Sequence, residues 1–176
     1  MTLWLALCAV SMAWAQTQYL SGRGNQVGSV ASGKYYVMAG CAQNGTTTNF
    51  LYDNGGTMKG WALTTGCIDS NRFVWQLTGN DNDGYTMQNL GTGNYVSMGS
   101  SNNSGITLSA TSQTLTIAFN SDGYAMISNA AGQAIDVDYY GTSPTTWTAS
   151  DGNTGSRRLF IYEADMEAYA ESYLSV

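Results

Sequence analysis

The chain has 176 residues, a net charge of −6 and charged residues at only 10% of positions. That length fits one domain, and twelve Tyr with five Trp supply enough apolar material for a core, which excludes wholesale disorder. The six basic residues form no stripe, which argues against nucleic acid and anionic membranes as partners. The absence of any His removes the commonest general base, the commonest zinc ligand and any Ser-His or Cys-His pair.

In chain order, residues 1–15 read as a secretory signal peptide. The apolar run from Leu3 to Trp14 is shorter than the roughly 20 residues that span a bilayer, and Ala13-Trp14-Ala15 fits the small-x-small cleavage rule, placing a mature start at Gln16. No Lys or Arg precedes the run; the competing readings are a lipoprotein signal at Cys8, weakened by Leu7, and a buried strand. The chain is therefore expected outside the cell or on its surface, with no membrane span. Residues 16–32 (QTQYLSGRGNQVGSVAS) read as a flexible lead-in.

From residue 33 the composition turns to short β-branched and aromatic runs punctuated by Gly and Asn, the pattern of strands and tight turns. Three units follow, 33–78, 83–120 and 122–163. The clearest sign is Asp83-Gly84-Tyr85-Thr86-Met87 with Gly93, answered 39 residues later by Asp122-Gly123-Tyr124-Ala125-Met126 with Gly132, while Asn89 is answered by Asn129. A more divergent copy begins at Gly33-Lys34-Tyr35-Tyr36-Val37-Met38. Each unit closes on an apolar-aromatic strand: Phe73–Leu77, Leu115–Phe119 and Leu159–Tyr162. A four-stranded unit cannot bury its apolar face alone, whereas three about a pseudo-threefold axis close into a barrel with a hairpin cap. The alternatives are a β-sandwich or a propeller fragment. Residues 164–176 are helix-favouring, with Asp165 as an N-cap, and read as a short helical tail or a linker. Cys41 and Cys67 both fall in the first unit; in an exported chain they read as a disulfide worth roughly 3–3.5 kcal/mol, the alternative being two buried thiols.

This pattern resembles the ricin B-type β-trefoil lectins, including those appended to bacterial secreted enzymes. The resemblance spans residues 33–163, with Trp75-Gln76, Ala118-Phe119 and Phe160-Ile161 near the place of the family's Gln-x-Trp motif. It implies an all-β trefoil of three ~40-residue repeats and one shallow sugar site per repeat: an Asp accepting from two hydroxyls, a ring stacking on the sugar face and an Asn or Gln closing the pocket. Only the third repeat matches position by position. There Ala134-Ile135-Asp136-Val137 resembles the sugar-binding strand with Asp136 as carboxylate, Tyr139 and Tyr140 stand where the stacking ring belongs, Trp147 is on the next strand, and Asn153 in Asp151-Gly152-Asn153 supplies the amide. The matching positions elsewhere are Ser97 and Tyr52. The competing readings are a turn cap for Asp136, rim packing for Tyr139 and Tyr140, core for Trp147 and a plain turn for Asn153.

Asp81-Asn82-Asp83-Gly84 lacks the later Glu of a calcium loop and reads as a turn; Asp136 and Asp138 share a strand face but bring no deep cleft for glycoside hydrolysis. The expectation is a binding module for a neutral glycan or polysaccharide, not an enzyme, with no metal and no cofactor. The alternatives are a secreted protein-interaction scaffold with a protein partner, or the accessory domain of a hydrolase whose catalytic domain is appended.

Overall fold

The computed structural model describes residues 18–41, 48–62, 71–101, 105–136, 145–146, 148–150 and 158–168. After the lead strand β1 (Gln18–Gln26) come β2 (Tyr35–Cys41), β3 (Thr48–Asp53), β4 (Met58–Ala62), a 3-10 turn (Asn71–Phe73) and β5 (Val74–Asn80). The second unit holds β6 (Gly84–Asn89), β7 (Tyr95–Met98), β8 (Ile106–Ser109) and β9 (Leu115–Phe119). The third holds β10 (Ala125–Asn129), β11 (Ala134–Asp136), β12 (Thr145–Thr146), β13 (Thr148–Ser150) and β14 (Arg158–Ala168).

The first and last strands of each unit form a closed ring in the order β2-β5-β6-β9-β10-β14, which returns to β2. Its register repeats three times. Within units, Tyr36 lies opposite Trp75, Tyr85 opposite Leu115 and Ala125 opposite Leu159. Between units, Leu77 lies opposite Met87, Ile117 opposite Ile127 and Ile161 opposite Met38. Because alternate residues face the same side of a strand, these twelve side chains make two tiers inside the barrel, and all but Ile117 are buried. The tiers are not symmetric. Tyr36 and Trp75 fill the first unit's share, whereas Ala125 and Leu159 fill the third's, so large and small residues offset one another within one packed volume. The Trp75 indole N–H, out of reach of water, donates to the Leu51 carbonyl at 3.2 Å.

The middle strands pair as hairpins, β3 with β4, β7 with β8 and β11 with β13. They cap one end of the barrel with Leu51, Met58, Val96, Met98, Ile106, Leu108 and Ile135. A bridge from Thr57 to Thr107 joins the first hairpin to the second, and β12 pairs with β4 to join the third to the first.

The structure shifts one part of the repeat by a residue. Asn80 faces Gly84 across the β5–β6 turn, and its side-chain oxygen accepts from Asn82 and Asp83. The same role at the β9–β10 turn falls to Asn120, which faces Tyr124 and accepts from Asp122 and Tyr124. The geometric counterpart of Met87 is therefore Ile127; Met126, which matches Met87 by letter, points outward and is 42% exposed. By the same register, the counterparts of Trp75 are Leu115 and Leu159, not Ala118-Phe119 or Phe160-Ile161. Within the Asp81 turn the Tyr85 hydroxyl donates to Asp81 at 2.9 Å and the Asn80 amide donates to Asp83 at 2.9 Å.

Both ends of the domain differ from expectation. Gln18–Gln26, within the segment read as flexible, is a strand pairing antiparallel with β14, Leu20 opposite Met166 and Arg23 opposite Ala164. A Cβ on Gly24 would stand 2.7 Å from the Glu163 carbonyl oxygen, so the close approach requires glycine. Ala164–Ala168, expected to be helical, continues β14 instead. So short a helix is marginal on its own, and a ladder partner outweighs the helical preference of Ala, Met and Glu. Residues 1–15, Cys67 and 169–176 lie outside the described residues, and of Cys41 only its place at the end of β2 is described.

Met87→Ala should cost about 2–5 kcal/mol in urea unfolding, whereas Met126→Ala should stay within about 0.5 kcal/mol; equal costs would contradict the one-residue shift. Burial, then the hydrogen bond to and charge of Asp81, raise the Tyr85 phenol above its ordinary value of 10.0. The unfolded chain thus loses this proton first, so the associated stability is intact below pH 10 and declines as pH climbs through the folded value. Unfolding midpoints measured from about pH 8 to about pH 11 should fall less steeply in Tyr85→Phe than in the parent.

Candidate functional site

The third unit's hairpin is built on Asn129. Its side-chain oxygen accepts from Ala131 and Gln133 at 3.1 and 3.0 Å, while its amide donates to the Met98 and Gly99 carbonyls at 3.2 and 2.9 Å. Asn89 does the same one unit earlier, accepting from Gly91 and Thr92 and donating to Arg72 and Val74. Each Asn thus ties its own turn to the preceding unit, and each turn closes on a glycine with positive φ, Gly93 at 72° and Gly132 at 78°. That is the physical content of the Asn and second Gly in the repeat. The first unit has Gly40 at this place and makes no such side-chain tie.

From that turn β11 runs Ala134, Ile135, Asp136 against Ser150, Ala149 and Thr148 of β13. Ile135 is buried. The register matches Asp136 with Ser97 and Tyr52 in the other hairpins: the cross-strand pairs are Asp136 with Thr148, Ser97 with Thr107, and Tyr52 with Lys59. The backbone of Asp136 is described; Tyr139, Tyr140, Trp147 and Asn153 lie outside the described residues, with Trp147 between β12 and β13.

Three features of the cap were not singled out from sequence. Asp53, fully buried, accepts from the Gly56 N–H at 2.8 Å, from the Thr92 hydroxyl and from the Asn94 amide at 3.3 Å. This carboxylate locks the first hairpin to the second unit's turn, and hydrogen bonds to a charged group are worth about 1.5–3 kcal/mol each. Its register counterpart Met98 carries no charge, and Gln133, the counterpart of Asn94, has a buried side-chain oxygen without a hydrogen-bond partner. Third, the Tyr52 ring stacks on buried Phe73, centroids 5.2 Å apart and planes at 27°. Burial raises the Tyr52 phenol, and the positive charge of Arg72 lowers it by a smaller amount. Only the density of Tyr, Phe, Arg and Lys in the first unit signalled this cluster. Among the described residues no group of His, Cys, Asp or Glu could hold a metal ion, and no helix is long and apolar enough to cross a membrane.

Among solved structures the chain is similar to a ricin B-like lectin from Macrolepiota procera in complex with lactose, with a TM-score of 0.62 and 14% identity over 77% of this chain and 99% of the lectin. The fold is a β-trefoil. A designed threefold-symmetric protein, ThreeFoil, is similar at a TM-score of 0.60 and 16% identity, covering 73% of this trefoil and 98% of the design. No protein-family model and no curated protein matches the sequence.

Proposed function

We propose that this trefoil is a carbohydrate-binding, lectin-like module, not an enzyme, whose shallow sugar site lies in the third repeat around Asp136. The observation that supports the reading is the register of β11, in which the backbone of Asp136 pairs with Thr148 at the position that Ser97 and Tyr52 hold in the other hairpins, shortly before Tyr139 and Tyr140 in sequence. Asp136 would accept from two vicinal hydroxyls, a tyrosine ring would meet the C–H face of the pyranose, and Trp147 and Asn153 would border the pocket. The likeness to a lectin solved with lactose supports a glycan as ligand class, and a chain without His favours binding over acid–base chemistry.

A single shallow site of this kind binds at about 1 mM, or about −4 kcal/mol, so retention on a polymer depends on a tethered partner or on several sites. Export through the signal at 1–15 and a Cys41–Cys67 bridge complete the reading.

A glycan array probed with the purified protein should show signal on neutral glycans that Asp136→Ala removes. An unchanged array would sink the site, and sugar-independent capture of a protein partner, insensitive to Asp136 and Tyr139, would favour the interaction-scaffold reading. Intact mass on the secreted protein should begin at Gln16 and increase by one pair of hydrogens on reduction.

A further inference from the structure

The first cap hairpin reverses through Asn54-Gly55-Gly56-Thr57. There the Asn54 N–H donates to the Thr57 carbonyl at 2.9 Å, and both central residues hold positive φ, Gly55 at 73° and Gly56 at 97°. Those are the signs of a type I′ turn, which glycine enters without strain. We propose that this tip is a site of covalent self-modification: Asn54 deamidates to aspartyl and isoaspartyl forms, and the isoaspartyl form releases the first repeat's hairpin from the second repeat. Sugar binding at the third repeat is a separate matter, and either can stand without the other.

The nucleophile is the Gly55 backbone nitrogen and the electrophile is the side-chain amide carbon of Asn54. A new N–C bond closes a five-membered imide. The bond from that carbon to the side-chain nitrogen breaks, and the nitrogen leaves as ammonia with its electron pair and the proton given up by the Gly55 N–H. Solvent water then adds to one of the two imide carbonyls. Opening on the side-chain side restores an ordinary peptide bond and leaves a carboxylate side chain. Opening on the main-chain side routes the backbone through Cβ, one carbon longer, with the α-carboxylate as a branch. No reagent besides water is consumed.

The tip suits this chemistry in three ways. Asn54 is the one Asn among the described residues that Gly follows, so no side chain hinders the attacking nitrogen. Among the described residues nothing accepts from the Gly55 N–H, because the turn's hydrogen bonds use the Asn54 and Gly56 N–H groups. The surroundings are also open: Asn54 and Gly55 are exposed, and a Cβ on Gly55 would meet nothing within 4 Å, which leaves room for the ring and for water. Asn89 and Asn129 are the contrast. Both are buried, both donate their amides to carbonyls of the preceding unit, and Leu90 and Ala130 follow them.

The consequence runs through Gly56, next to the rearranging bond. Its N–H donates to Asp53 at 2.8 Å, its carbonyl accepts from the Leu108 N–H at 2.9 Å, and Thr57 beyond it bridges to Thr107. Asp53 in turn accepts from the Thr92 hydroxyl and the Asn94 amide. The joint between the first and second repeats therefore depends on the chain length from Asp53 to Thr57. Asp53 is fixed by its pairing opposite Met58, so an added main-chain carbon pushes Gly56 out of place against both Asp53 and Leu108.

The test incubates the folded protein in mildly alkaline buffer, with Asn54→Gln beside it, which must close a larger ring. The parent should release ammonia and gain one mass unit in the tryptic peptide 35–59, with fragment ions placing the gain at residue 54 and not only at Asn44, the chain's other Asn followed by Gly. Asn54→Gln should lose the gain at that position. In the isoaspartyl form, the Gly56 and Leu108 amides should exchange hydrogen at least about tenfold faster than in the parent. Freshly prepared Asn54→Asp, which adds the charge without lengthening the chain, should keep the parent's protection. A gain at residue 54 confined to the urea-unfolded chain would overturn the proposal. So would unchanged Leu108 exchange in the isoaspartyl form, or equal loss of protection in Asn54→Asp.

Discussion

The antiparallel seam between β14 and β2 holds the rest of the structure in place. Arg158 through Glu163 run opposite Cys41 through Tyr36, and this seam joins the barrel strands of the last repeat back to those of the first. Without it the six barrel strands would be an open sheet with two free edges, and the tier containing Met38 and Ile161 would face water. The seam joins segments far apart in sequence, so its loop-closure cost is met only once both tiers can pack. The terminal strands reinforce it. Where β10 leaves the other edge of β14 after Leu159, β1 takes over from Tyr162 to Ala168, so the strand that closes the barrel is flanked along most of its length.

Against that constraint, the legible and illegible parts of the sequence separate for physical reasons. Three units of four strands could be read because alternation and turn residues are local signals. Tyr85, Met87 and Asn89 alternate buried with half-buried as their spacing requires. The alignment between units was misread where identical letters occupy non-equivalent places. Asp-Gly-Tyr sits one residue nearer the turn in the third repeat than in the second, which sends Met126 outward. The second repeat then spends one more residue between Asn89 and Asn94 than the third does between Asn129 and Gln133, so Gly93 and Gly132 fall back onto the original offset. A letter match at one spacing therefore concealed two compensating changes. At the ends, Ala164–Ala168 has helical composition, and only a partner some 140 residues away in sequence turns it into a strand, a contact no local window contains. Of the candidate site, the position of Asp136 on its hairpin and its equivalence to Ser97 and Tyr52 were readable from the repeat; the ring-on-ring support of Tyr52 by Phe73 was not, because it depends on how a 3-10 turn folds back.

The repeats differ both in the barrel and on the cap hairpins. The barrel asks only for alternation and total volume: Trp75, Leu115 and Leu159 occupy one equivalent position, as do Tyr36, Tyr85 and Ala125, and the tiers still fill. The cap hairpins ask for an apolar residue on the inner face, met by Leu51, Val96 and Ile135, and the residue that follows it varies: Tyr52, which stacks on Phe73, then Ser97 and Asp136.

A designed protein with threefold symmetry adopts the same fold, so the fold itself does not require its repeats to differ. Divergence at core positions can be attributed to volume trading within one tier, where Ala125 offsets the bulk of Tyr36, Trp75 and Tyr85. No such trade applies to Tyr52, Ser97 and Asp136, which hold one equivalent position on three separate hairpins. A tyrosine, a serine and an aspartate thus occupy one equivalent position, three side chains of different chemistry. Their placement on rigid hairpins, tied down by Asp53 in the first repeat and by Asn129 in the third, is what a recognition surface needs: side chains fixed in advance, so that little ordering remains to oppose binding.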